Sequence, residues 1–237
     1  MNEHTKRIEL QDVVLRRGGQ EFRFDRALSA EITAIAGPSG SGKTTLLNLM
    51  AGFERPNSGR ILFNGHDVTA LHPADRPVSL IFQDNNLFAH LNVFTNVGLG
   101  IDPGLRLSQA DRQAISTALE RTGLSGYETR LPGSLSGGEK QRAAFARALV
   151  RKRPFLLLDE PFAALDPGLR KGMGVLLREL QAETGVSVIM VTHQPDEVRR
   201  LADHVIFLSQ GRVLADEPVS TFLQAHDQPE IADFLGI

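Results

Sequence analysis

Gly37-Pro38-Ser39-Gly40-Ser41-Gly42-Lys43-Thr44-Thr45 is the stretch whose residue types commit most strongly to a chemistry. Its spacing is G-x-x-x-x-G-K-T, and each fixed position has a physical task. Glycines let a turn curl until successive backbone N–H groups point inward at an anion, where a Cβ would block a phosphate oxygen. A helix opening at Gly42 to Thr45 adds the positive end of its dipole at the same spot. Lys43 is placed to reach β- and γ-phosphates, and the Thr44 hydroxyl to ligate Mg²⁺. The spacing implies a nucleoside triphosphate site.

Other groups could complete the chemistry. Phe155-Leu156-Leu157-Leu158-Asp159-Glu160 ends an apolar run in two carboxylates. In an open α/β sheet, ligands sit beyond the carboxyl ends of the strands. Asp159 is then placed to hold Mg²⁺, directly or through water, and Glu160 to orient and deprotonate an attacking water. Leu135-Ser136-Gly137-Gly138-Glu139 reads as a capping box, Ser136 with Glu139. Its two glycines are not needed for capping, and they leave N–H groups and the Ser136 hydroxyl ready for a second anion contact. Gln83 ends the run Val78–Phe82, and His193 ends Val188–Thr192. His4, His66, His72, His90, His204 and His226 read as surface or internally satisfied residues.

Elements must hold these groups in place. Two alternating runs, 8–15 and 21–24, with Gly18-Gly19 between them, predict a β-hairpin. Ile32–Ala36 predicts the strand before the phosphate loop and Thr45–Ala51 the helix after it, ended by Gly52. Pro56-Asn57-Ser58-Gly59 and Asn64-Gly65 are turn chemistry around the strand-like Arg60–Phe63. After Gln83 the pattern becomes helical, clearest over Gln109–Leu119, which sets off residues 86–150 as an inserted helical subdomain. Strand signals return at Pro154–Asp159, Val186–Val191 and His204–Leu208, with a helix over Leu169–Thr184. Strands alternating with helices imply a parallel sheet covered on both faces.

The totals remove several classes. A net charge of −2 lacks the basic surplus of a nucleic-acid binder. With no cysteine there is no disulfide framework and no thiol nucleophile. The N-terminus has no apolar signal segment, and no run approaches the roughly 18 apolar residues needed to span a bilayer. The expectation is a cytoplasmic protein that meets membranes through a partner.

Gly37 to Thr44, Gln83, Leu135–Glu139, Asp159-Glu160, Ala164-Leu165-Asp166 and His193 together resemble, in order and spacing, the ATP-binding subunits of ABC transporters. The resemblance covers essentially the whole chain. It implies an α/β P-loop NTPase fold of the ABC ATPase type in one domain, 1–237. That fold has a mixed sheet core, an antiparallel β subdomain and the inserted helical subdomain, without a C-terminal regulatory domain. It implies a head-to-tail homodimer with ATP and Mg²⁺ between the phosphate loop of one copy and Ser136, Gly137, Gly138 and Glu139 of the other. It implies a base role for Glu160 and γ-phosphate contact for His193. Gln83 would contact Mg²⁺ or water, and Asp166 would communicate across the interface. Many members stack adenine on an aromatic residue of the first hairpin. Here Arg17 could stack its planar guanidinium, or Phe22 could substitute.

Pro77–Phe88, His90-Leu91, Asn96–Gly100, Pro103–Leu107 and Phe234–Ile237 resemble importer subunits, especially those of Gram-negative thiamine importers. This implies transmembrane permease subunits, a periplasmic solute-binding protein, no nucleic acid, and a peripheral place on the cytoplasmic face of the inner membrane. Importers of iron, sugars or polyamines are the alternative. A soluble ABC ATPase acting on DNA or the ribosome is a further class, though no sustained heptads separate Lys43 from Ser136. A small-molecule kinase would leave Leu135–Glu139 and His193 without a purpose.

Overall fold

Period-two alternation in the first thirty residues produces an antiparallel hairpin, β1 (Ile8–Arg17) and β2 (Gln20–Leu28). Ile8, Leu10, Val13, Phe22 and Phe24 point to one face and are buried. A computed structural model describes residues 6–163, 165–224 and 227–237. His4, Ala164 and His226 lie outside the described residues. β3 (Ile32–Ala36), buried at every position, leads into the phosphate loop and α1 (Lys43–Ala51). β4 (Ser58–Phe63) and β5 (His66–Asp67) complete a four-stranded antiparallel sheet of order β2-β1-β4-β5. Ser58 and Gly59 belong to β4 rather than to a turn, because Ser58 pairs with Val14 beyond a register shift in β1.

The second sheet adds β6 (Val78–Ile81), β7 (Phe155–Asp159), β8 (Ser187–Val191), β9 (His204–Ser209) and β10 (Arg212–Pro218). Its order is β10-β9-β3-β8-β7-β6, parallel except for β10. Helices α2 (Val93–Gly98), α3 (Gln109–Arg121) and α4 (Gly137–Val150) lie between β6 and β7. They enclose a core of their own around Val97, Ile115, Leu119 and Ala143. Then come α5 (Pro167–Thr184), α6 (Pro195–Leu201), α7 (Val219–Phe222) and α8 (Pro229–Leu235). The apolar patterns did not predict β5, β10, α6, α7 or α8. β10 is a partly exposed edge strand carrying Asp216 and Glu217, and it is defined by its pairing with β9. α7 and α8 are short, and they gain their order by burying Phe222, Ile231 and Leu235 against Phe207.

α1 is held at its far end by a buried charge. Arg76 is 0% exposed and donates from Nη1 to the Leu49 and Met50 carbonyls at 2.7 and 3.0 Å. Its Nη2 donates to the Thr69 carbonyl at 3.1 Å. Burial pushes its pKa down to about 10, so it stays cationic at neutral pH, the sign that favours a helix C-terminus. Arg76→Ala leaves these carbonyls without their donor. We expect it to destabilise the fold by about 3 kcal/mol, read as a lower urea midpoint with unchanged slope.

Candidate nucleotide site

The parallel order sets the carboxyl ends of β3, β8, β7 and β6 side by side. Gly37–Thr45 follows β3, His193 follows β8, Asp159 and Glu160 close β7, and Gln83 stands exposed in the turn after β6. The groups singled out in the sequence therefore share one edge, the edge where open α/β sheets bind ligands.

Two glycines of the loop are sterically obligatory. Gly37 has φ 142°, and a Cβ there would lie 2.1 Å from the Leu208 carbonyl oxygen. Gly42 has φ 105°, and a Cβ would meet the Phe22 ring at 2.8 Å. That packing corrects one expectation: Phe22 is 5% exposed and backs the loop, so its ring is not an open platform for a base. Arg17 is exposed near the hairpin tip and pairs with Glu54 at 2.5 Å. Side chains of Ser108, Ser136 and Asp166 cap α3, α4 and α5, whereas no side chain caps α1. Its first N–H groups have no acceptor within the helix.

Lys43 is 6% exposed, and its Nζ donates to the carbonyls of Gly37 and Pro38, each at 2.8 Å. Burial lowers its pKa, and the nearby charges of Glu160 and Asp159 act in the opposite direction. Thr44 Oγ1 donates to Asp159 Oδ1 at 3.3 Å. Burial raises the Asp159 pKa, opposed by the Thr44 bond. A hydroxyl and a carboxylate so close are hard oxygen donors that suit Mg²⁺, a cation usually held by few protein groups plus phosphates and water. Among the described residues no cluster of three His, Cys, Asp or Glu offers a cage for another metal.

Glu160 occupies the left-handed region at φ 44°, fixed by its N–H donating to the Val191 carbonyl at 3.1 Å. A non-glycine residue there is uncommon, and such strain gathers at functional positions. The turn aims Glu160 Oε2 at His193 Nδ1, 3.1 Å away. The segment at the start of α4 lies in the helical layer, and none of the described hydrogen bonds joins it to the loop. Ser136 N–H donates to Glu139 Oε2 at 2.7 Å and Glu139 N–H to Ser136 Oγ at 3.3 Å. By helix geometry the N–H groups of Gly137 and Gly138 have no acceptor within the helix. Asp166 Oδ1 accepts from Leu169 N–H at 3.0 Å and so caps α5. Sequence reasoning missed Glu197, a buried carboxylate that accepts the Thr192 hydroxyl beside His193. Its one signal was a carboxylate one helical turn after the histidine.

A match to the family described as ABC transporter spans residues 26–163. The chain belongs to the ABC transporter family. Among its curated relatives, the thiamine import ATP-binding protein ThiQ of Chelativorans sp. is 56% identical over 220 residues, 92% of this chain and 89% of the relative. A structure of cbiO1 from Clostridium perfringens, part of the ABC transporter complex cbiONQ, superposes with TM-score 0.81 at 30% identity. It covers 92% of this chain and 89% of that one. A dimeric ATP-binding cassette in a post-hydrolysis state, bound to ADP and Pi, superposes with TM-score 0.77 at 29% identity. The match covers 90% of this chain and 98% of that one. Within the ABC transporter family the chain is an ATP-binding subunit, and the shared edge of β3, β6, β7 and β8 is its candidate nucleotide site.

The raised pKa of Asp159 has a consequence for stability. Its contribution is fully present below the unfolded value of 3.8 and is lost as pH rises through the higher folded value. Asp159→Asn keeps an acceptor for Thr44 but carries no charge to desolvate. Without nucleotide, the variant should melt above the parent protein at pH 7, with the gap closing toward about pH 4.

Proposed function

We propose that this chain is the ATP-hydrolysing subunit of an importer that brings thiamine across the inner membrane. The observation that carries the reading is the Glu160–His193 contact of 3.1 Å on the edge that also bears the phosphate loop. ATP would enter with its phosphates over α1, and Lys43 would exchange the Gly37 and Pro38 carbonyls for phosphate oxygens. Pro38, Ser39, Gly40, Ser41, Gly42, Thr44 and Thr45 complete the cradle. Thr44, Asp159 and Gln83 would hold Mg²⁺, which would neutralise charge on the β- and γ-phosphates. Glu160 takes a proton from water as its oxygen attacks the γ-phosphorus, and the bond to the ADP oxygen breaks, giving ADP and phosphate. His193 keeps Glu160 in line and contacts the γ-phosphate.

The bare N–H groups of Gly137 and Gly138, with Ser136 and Glu139, support closure onto the ATP of a second copy. Asp166 would meet the same interface, and the Arg17 guanidinium would stack on adenine after leaving Glu54. A homodimer closed by ATP and opened by hydrolysis would move two permease subunits. The half-exposed rings of Phe53 and Phe88 line a groove of about 620 Å³ with Phe82 and Arg147, next to the Gln83 turn. That groove is suited to a helix from a permease subunit. No helix of the described residues is long and apolar enough to cross a membrane. The chain would lie peripherally on the cytoplasmic face, with a periplasmic binding protein delivering the solute to the permease. Thiamine as the solute rests on the curated relatives.

Glu160→Gln should retain ATP binding and trap a dimer while hydrolysis falls by roughly 10²- to 10⁴-fold. The transport reading is tested by ATP hydrolysis in proteoliposomes with permease subunits, with and without thiamine-loaded binding protein. Stimulation by thiamine supports it; stimulation by another solute replaces the vitamin.

A further inference from the structure

We infer that Arg170, Glu197 and Thr192 form a buried relay that positions His193 according to the placement of Leu165 and Asp166. The inference rests on the reading of Glu160 and His193 as the hydrolytic pair. At one end, Arg170 Nη2 donates to the Leu165 carbonyl at 3.2 Å, one residue before Asp166. The guanidinium then faces Glu197, with Nε 3.8 Å from Oε1. The other Glu197 oxygen accepts a short hydrogen bond from Thr192 Oγ1. Thr192 Oγ1 in turn accepts the Gln194 N–H at 3.0 Å, which folds the turn around His193. At the far end His193 Nδ1 lies 3.1 Å from Glu160.

Capping of α6 does not account for this arrangement. Glu197 is 5% exposed, on the third residue of a seven-residue helix, and burial raises its pKa against the pull of Thr192, Arg170 and His193. A carboxylate so placed is costly unless fully bonded. Here the link is half made: Arg170 Nε and Glu197 Oε1 are buried, face each other and lack hydrogen-bond partners. A shift of about 1 Å would close them into a charge-assisted hydrogen bond. Leu165 and Asp166 sit on the arm able to deliver that shift, because Arg170 is tied to the Leu165 carbonyl. When a second subunit displaces this segment, the guanidinium closes on Glu197 and Thr192 is drawn with it. The closed link holds His193 in place beside the Glu160 carboxylate that it already faces. These three are positioning residues; none touches the nucleotide.

The experiment is steady-state ATP hydrolysis by the full chain, with melting temperatures, for Thr192→Val, Arg170→Met, their double variant, Glu197→Ala and Glu197→Gln. Thr192→Val keeps the shape and removes only the hydroxyl, and its melting temperature reports what Glu197 loses with that donor. Thr192→Val and Arg170→Met should each lower kcat by about tenfold, within the range that a positioned proton-transfer group supplies, with KM for ATP changed less than about twofold. The double variant should be no slower than the slower single one, because residues acting in series are not additive. Glu197→Gln, which can still accept the Thr192 hydroxyl, should keep more activity than Glu197→Ala. Multiplicative losses in the double variant, or kcat changes that track KM and melting temperature, overturn the relay. Glu160→Gln runs beside them: unchanged turnover there removes the reading of the hydrolytic pair. A large loss there with parental kcat in Thr192→Val and Arg170→Met removes the relay alone.

Discussion

The structure depends on keeping one ammonium group out of water. Lys43 is almost wholly buried, yet its hydrogen bonds go to two backbone carbonyls of its own loop rather than to a carboxylate. A direct ion pair would neutralise the cation, whereas carbonyl partners leave its charge uncancelled. Carbonyl dipoles satisfy its donors and can be given up, since they exchange one set of oxygens for another. The bonds also draw the loop around its own lysine, and the loop tolerates that curl because Gly37 and Gly42 have no Cβ to collide with Leu208 and Phe22. The neighbouring layers follow from this. The first sheet supplies Phe22 as a wall, and Arg76 secures the opposite end of α1.

The negative charges are arranged by the same logic. Asp159 and Glu160 stand near enough to Lys43 to favour its charged form without bonding it. They end β7, the strand two places from β3, and a parallel sheet is the arrangement that brings those two ends level. Asp159 turns toward Thr44, while the left-handed backbone of Glu160 swings its carboxylate the other way, toward His193. Adjacent residues in the chain thus meet different partners, one the Thr44 hydroxyl and one the His193 ring.

Much of this was legible in the sequence because the site is written in short segments with fixed internal spacing. The loop, the paired carboxylates, His193 and Gln83 each follow an apolar run, and apolar runs that alternate with helices dictate a parallel sheet. Long-range packing was not legible. Nothing local marks Arg76 as internal, since its partners are carbonyls of residues 49, 50 and 69. Phe22 looked available because an aromatic residue in a hairpin shows no sign of which face it will lie on until the hairpin meets Gly42. β10 is charged and half exposed, so its strand character comes from β9 rather than from its own pattern. The link from Glu197 to Thr192 was hidden for a related reason: a carboxylate in the first turn of a helix reads as a favourable dipole partner, not as a buried acceptor.

The pairing of β3 sets the order in which the molecule can assemble. Its neighbours are β8 and β9, so Ile32 lies beside Val188 and Thr33 beside His204. Contacts of such high sequence separation form slowly, because a long loop must close before they repay its entropy. On the ribosome, the strand that carries the phosphate loop emerges early and waits until most of the chain has been synthesised. The N-terminal hairpin and the helical layer can meanwhile fold from local contacts. In that interval β3 and the glycine-rich loop lack the strands that flank β3 in the folded chain. Chaperone dependence and sensitivity to translation rate should concentrate in the span between β3 and β9.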